Sequence, residues 1–430
     1  MVVRSFGNRL RYFEFPILAL ACCLLAGTKG GGTRFFAKVG SGPAERRPAL
    51  ATMARTRFPC EASWQRDERT GARIVRITGQ PAIHHHLYFL TSSLTPDERH
   101  LVFCSYRSGS PQFYRAGFPE GEIVAITDEP EINGFSAIVT PDGRGIYYTA
   151  GSRVRYCDLF TGAARTLAEF PGAQLGECSL SADHRDLVTA ARLGDRFGLA
   201  RIATDGSGGR IVFECPRTII HPQFHPRDPE WIEYAQDPAP RMWLIRRDGT
   251  GNTCLYEHDN DCFLVHETWL GEGEELIVVR WPYALLRFHL ARRELREIAR
   301  FNAWHIASSR DGRRVVCDTA RPDLGIQLVD VETGERRTVC YPQSSCRGSQ
   351  WNRDRYALAD DFAAARAAKR ESFLSWMEMK ADTVYGPQWT HPHPSFSPSE
   401  RWVVYTSDVT GYPQVYAVDL TSLDGAAESV

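Results

Sequence analysis

A twenty-residue segment of this chain occurs twice, 302 positions apart. Thr95 to Tyr114 aligns without a gap with Ser397 to Tyr416, and nine of the twenty positions are identical, including a shared Ser-x-x-x-Gly-x-Pro-Gln turn. Weaker copies of the opening turn lie between them: Thr140-Pro-Asp-Gly143, Ser181-Ala-Asp-His184, His225-Pro-Arg-Asp228, Gly271-Glu-Gly-Glu274 and Ser309-Arg-Asp-Gly312. The seven turns recur every 38 to 46 residues until the last interval, which is about doubled by an insertion. Each is followed by a β-rich run such as Gly145-Ile-Tyr-Tyr-Thr149, then a second run, then often Thr-Gly-x-Arg. Short strands at this period, punctuated by Asp-Gly and Thr-Gly turns, are the pattern of a β-propeller. The expected fold is all-β: seven four-stranded blades around one axis.

The last repeat has room for three strands before Val430. Thr70-Gly-Ala-Arg-Ile-Val-Arg-Ile-Thr78 reads like the fourth strand of other blades, so an N-terminal strand is expected to complete the C-terminal blade and hide an open edge. Between blades six and seven, Arg355 to Ala381 is Ala-rich with Glu, Lys and Arg and has no Gly or Pro. It reads as a helical insertion, either a surface decoration or a lid whose end leads into Gln388. The expected division is residues 1–53 as an extension and 54–430 as the propeller. In the extension, Arg4, Arg9 and Arg11 precede an apolar run from Phe15 to Leu25, as in a secretory signal over residues 1–27. Glu14 abuts that run and no clean cleavage site follows, so a translation start at Met53 is the competing reading.

Lys and Arg number 51 against 52 Asp and Glu, a net charge of −1 without a long basic run, which suggests neither nucleic acid nor an anionic membrane surface as partner. The twelve cysteines form no C-x-x-C pair, and most sit in strand-like apolar runs such as Leu101-Val-Phe-Cys104. Buried thiols of a reducing compartment fit that usage, so the expected location is cytoplasmic, with export or the periplasm as alternative if the signal is real.

The chemistry lies in the register. In a propeller the first strand of each blade lines the central channel, and the aligned register positions are Thr91, Ser136, Glu177, His221, His266, His305 and His393 in chain order. Four successive imidazoles thus point to one axis, with Gln388 and His391 just upstream of His393. His391 and His393 are two apart and share a face of any strand. Imidazole nitrogens with one amide oxygen suit a borderline divalent ion such as Mn, Fe, Co or Zn, and the absence of thiolates argues against a closed structural zinc site.

Gln388-Trp-Thr-His-Pro-His393, Arg241-Met-Trp-Leu-Ile-Arg-Arg-Asp-Gly249, His221-Pro-Gln-Phe224 and His266-Glu267, in this order on seven blades, resemble the oligogalacturonate lyases. The resemblance runs from about Met53 to residue 420. It implies metal-assisted β-elimination on short pectin fragments, digalacturonate and its unsaturated form among them, in the bacterial cytoplasm. Carried over by motif, the metal ligands would be Gln388, His305, His391 and His393, with Mn2+ the expected ion. His266 would be the base, Arg241 the partner of a substrate carboxylate, and His221 and His85 substrate contacts. His84-His-His-Leu-Tyr-Phe89 departs from the family's commonest form, and the insertion and N-terminus are untypical in length. A non-catalytic propeller resembling TolB is the rival reading; it needs neither a metal nor histidines in register. A start at Met53 would imply no stable association with a membrane.

Overall fold

The computed structural model describes residues 55–348, 350–352, 354 and 386–424. By internal contacts the chain divides at Ala49 and Leu50, and every described residue belongs to the second unit. The helix expected over 355–381 and the N-terminal extension lie outside the described residues.

Seven antiparallel sheets follow one another along the chain. Within a blade the second strand is apolar almost throughout, as in His100–Ser105 and Glu275–Arg280, because both its faces are covered by neighbouring blades. Fourth strands such as Ala164–Glu169 and Glu294–Ala299 are largely polar and exposed, as befits the rim. The apolar contacts therefore form a ring instead of one centre. Seven buried clusters fill the seven gaps between adjacent blades.

The repeated turn has a repeated bonding pattern. In Thr95, Thr140, Ser181 and Ser309 the hydroxyl donates to the Asp carboxylate two residues on, at 2.6, 2.6, 2.6 and 2.7 Å. The same carboxylates accept the backbone N–H of Arg99, Arg144, Arg185 and Arg313. Two short polar side chains thus satisfy donors that a tight turn leaves unpaired.

Closure follows the sequence expectation. Arg73–Arg76 pairs antiparallel with Gln414–Asp419, with Ile74 opposite Val418 and Val75 opposite Ala417. Ile74 packs into the cluster between blades six and seven, and Val75 into the one between seven and one. Burying each contributes roughly 1.5–3 kcal/mol, so four residues weld the two ends of the ring. Two blades carry one strand more than expected. Ser63–Arg66 extends blade seven outward and Arg57–Phe58 caps blade one, making five-stranded sheets of both.

Blade one departs from the repeat. His84–His86 pairs with strand two, Leu94 bridges Leu101 further along, and residues 87–93 loop out between these contacts. Tyr88 and Phe89 of this loop join Phe135 in an eighth buried cluster on the axis, with Leu90 and Trp389 against it. The channel is thereby filled at one level by aromatic rings.

Candidate functional site

In blades three to six the register position falls in a β-bulge. Gly176-Glu177 oppose Ala190, His221-Pro222 oppose Tyr234, His266-Glu267 oppose Val278, and Trp304-His305 oppose Asp318. A bulge breaks the strict alternation of side chains and re-aims them. His221, His266 and His393 hold left-handed backbone, with φ of 53°, 59° and 49°. That conformation costs a non-glycine residue about 1–2 kcal/mol, and its recurrence at one register of the ring marks the site.

Asp318 stands opposite the sixth bulge and fixes two blades at once. Its Oδ1 accepts the backbone N–H of His305 at 2.8 Å, and its Oδ2 accepts His305 Nδ1–H at 2.8 Å and the backbone N–H of His393 at 3.1 Å. Pairing Nδ1 with a carboxylate leaves Nε2 of His305 as its ligand atom and raises its basicity. His391 donates Nε2–H to the Arg347 carbonyl at 2.9 Å, so Nδ1 would be its ligand atom. His86 holds the other side of the cup, its Nε2–H on the His393 carbonyl at 2.6 Å. One ligand atom from each of His305, His391 and His393 lies within 4.8 Å of the others, and all three residues are buried. Gln388 Oε1 is 3.0 Å from His393 Nε2.

This donor set fits a divalent ion: three imidazoles, an amide oxygen and a carboxylate behind one ligand. Protonation is arranged accordingly. Burial, then the neighbouring imidazoles, hold His305 and His393 well below the usual histidine value. Neutral rings keep the lone pairs that an ion requires. Burial pushes Asp318 up to about 6, against the opposing pull of the His305 and His393 N–H groups.

His266 lies beside this cup, its ring centroid 4.5 Å from that of His305. Its Nδ1–H donates to the Trp304 carbonyl at 2.6 Å, which leaves Nε2 with a lone pair. Burial, then the charges of His305, Arg241 and His221, keep its pKa well below the ordinary range. Arg241 immediately precedes the third strand of blade four, Met242–Arg246, and is buried. Its Nε donates to Glu267 Oε1 at 2.6 Å, and Asp237 lies 4.0 Å away. Glu233 packs alongside, pushed well above the carboxylate range by burial and by Glu267.

His221 uses Nδ1–H on Glu177 Oε1 at 2.5 Å, and its backbone N–H reaches the same oxygen at 2.9 Å. Its ring stacks on Tyr88 at 5.3 Å, with Nε2 3.4 Å from the phenol oxygen. Phe89 lies parallel to His393 at 5.6 Å. These two rings form the floor of the cup.

The structure therefore brings together His305, His391, His393, Gln388 and His266, with His221 and Arg241 at the margin. It holds His85 apart: that residue is fully buried and stacked on Phe135 at 4.1 Å, and Phe135 in turn touches Tyr88 and His393. Ser136 donates to the Asn133 carbonyl and serves the turn. Sequence reasoning passed over Asp318 and the Tyr88-Phe89 floor. An acid inside the apolar run Val315-Val-Cys-Asp318 was the available signal for the first. The alignment itself concealed the second, because it set Thr91, a loop residue, in register with the histidines.

No family model matches the chain. It is 23% identical over 395 residues to the oligogalacturonide lyase of Pectobacterium atrosepticum, covering 84% of this chain and 96% of that protein. The oligogalacturonate lyase of Dickeya dadantii is 22% identical over 385 residues, covering 81% and 94%. A solved oligogalacturonate lyase in complex with manganese superposes with a TM-score of 0.70 at 21% identity, over 85% of this chain and 97% of that one. The oligogalacturonate lyase of Vibrio parahaemolyticus gives 0.69 at 19% identity, over 85% and 98%. In sequence and in fold alike, the resemblance of this chain to the oligogalacturonate lyases extends over more than four fifths of its length.

Proposed function

We propose that this protein is an oligogalacturonate lyase that cleaves short oligogalacturonides by metal-assisted β-elimination. The observation that carries the reading is a neutral imidazole, His266, set against a cup of three buried histidines and an amide. A binding module has no use for that arrangement, nor for left-handed backbone at three of its positions.

The reaction removes the C5 proton of a uronate, which lies α to a carboxylate and is very weakly acidic. A divalent ion held by His305, His391, His393 and Gln388 would, when bound, act as a Lewis acid toward that carboxylate. Manganese in a similar solved protein supports Mn2+ as the ion. Arg241 contributes a second positive group, its guanidinium oriented through Nε by Glu267. His266 accepts the C5 proton at Nε2, its Nδ1–H held by the Trp304 carbonyl so that the ring cannot turn away. The C–H electron pair becomes the C4–C5 double bond, the C4–O bond breaks, and the oxygen leaves with a proton. His85 is assigned only an indirect part, behind Phe135. None of the ten described cysteines forms a disulfide among the described residues, which supports a reducing compartment such as the cytoplasm.

Incubating the purified protein with digalacturonate and Mn2+ should raise ultraviolet absorbance as the conjugated 4,5-unsaturated uronate forms. No rise with any divalent ion would exclude the lyase reading. Methyl-esterified substrate should react poorly, because esterification removes the carboxylate that ion and guanidinium are proposed to hold.

A further inference from the structure

His266 accounts for the proton removed, and nothing above accounts for the proton delivered to the departing oxygen. A second dyad, His221 with the buried Glu177, stands next to the base on the ring. His221 occupies in blade four the left-handed register position that His266 occupies in blade five. The ring is bound through Nδ1 to Glu177 and is stacked on Tyr88, so Nε2 is its one nitrogen turned toward the cup floor.

Behind the dyad lies a cavity of about 440 Å³ on the propeller axis. Its walls are the segments that follow the register positions, among them Gln223, Thr268 and Ser308, and it extends to Glu272 and Arg310, which are exposed. Tyr88, Phe89 and Glu177 border it, whereas none of the cup histidines does. The second carboxylate oxygen of Glu177, Oε2, is buried and has no hydrogen-bond partner among the described residues. Glu177 thus commits one oxygen to both the ring and the backbone of His221, and the residue also borders this cavity.

We propose that His221, oriented by Glu177, is the proton donor to the leaving oxygen. This rests on the lyase reading above. His266 takes the C5 proton, the C–H pair forms the C4–C5 double bond, and the C4–O pair departs with the oxygen. His221 gives that oxygen the Nε2 proton. The imidazole, now neutral with its remaining proton on Nδ1 held by Glu177, takes a new Nε2 proton from solvent on the cup side once the product has left. Glu177 is a positioning residue, since it acts only through the ring.

The test compares two leaving groups at C4: the sugar alkoxide of digalacturonate, which needs a proton, and fluoride in a 4-deoxy-4-fluoro uronide, which leaves far more readily without one. His221→Gln and Glu177→Gln should each lower kcat on digalacturonate about 100-fold or more, in the range of lost general-acid catalysis, with KM retained. On the fluoride substrate each should lose no more than a few-fold, whereas His266→Ala should lose both reactions. Equal losses on both substrates for His221→Gln, or no loss on either, would overturn the proposal while leaving the lyase reading intact. Failure of that reading would show differently, as wild-type protein that releases no unsaturated product from either substrate. Circular dichroism and Mn2+ binding of both variants check that the ring is folded and the cup complete.

Discussion

Asp318 shows how much one carboxylate decides. It holds the His305 ring and the backbone of both His305 and His393, so the two blades meet at the correct spacing only while it accepts all three bonds. Asp318→Asn keeps size but turns one acceptor into a donor facing donors. Mn2+ affinity should fall roughly 10- to 100-fold, as it does when partners behind a metal ligand are lost, while the circular dichroism spectrum is retained. Unchanged affinity in a calorimetric titration would remove Asp318 from the account. The same scale marks where sequence reading stops. His305, His391, His393 and Gln388 were legible because they share a register or a short motif, and a repeat makes register visible. Asp318 and Glu233 lie on second strands and Glu267 meets Arg241 across two blades, so their bearing on the site depends on three-dimensional neighbours that the repeat register does not encode. Arg241 was legible as a charge, but its buried partner Glu267, from the next blade, was not.

Bulge and turn are the elements that carry the site and the frame. At His393, φ is 49°, a conformation that glycine adopts freely and alanine does not. Both His393→Gly and His393→Ala remove the imidazole, yet the glycine variant should be the more stable by about 1 kcal/mol in metal-free protein. Equal stability in denaturant titrations would mean that the backbone there carries no strain. The turns respond to acid. For Asp97 and Asp311 the hydroxyl bond from Thr95 or Ser309 is the largest influence and lowers the pKa. In Asp142 and Asp183 burial pulls upward, but the Thr140 or Ser181 hydroxyl and backbone N–H bonds outweigh it. A carboxylate depressed on folding stabilises above its unfolded value of about 3.9, and that contribution is lost as pH falls through the folded value. Melting temperature should therefore drop steeply below about pH 4. Thr140→Ala should flatten that acid limb slightly, since Asp142 then titrates nearer its unfolded value. An acid limb unchanged by Thr140→Ala would show that the hydroxyl bond does not set the carboxylate.

Across the whole molecule, the ring turns seven weakly similar segments into one site. No blade holds the cup: His305 comes from blade six, His391 and His393 from the approach to blade seven, His266 from blade five and the floor from a loop of blade one. Closure by Arg73–Arg76 was legible because the segment resembles the strand it replaces. The outer strands Ser63–Arg66 and Arg57–Phe58 were not, being short and largely polar without a repeat partner. The Tyr88-Phe89 floor escaped because an insertion had slipped the first blade's register. The account divides the ring into an ion-holding side and a base, and one titration addresses that division directly. Mn2+ is added calorimetrically to metal-stripped wild type, His266→Ala and His393→Ala, and digalacturonate turnover is read in the same samples. The account predicts that His266→Ala binds the ion like wild type and turns over nothing, while His393→Ala does neither. Wild-type Mn2+ binding by His393→Ala, or turnover by His266→Ala, would contradict it.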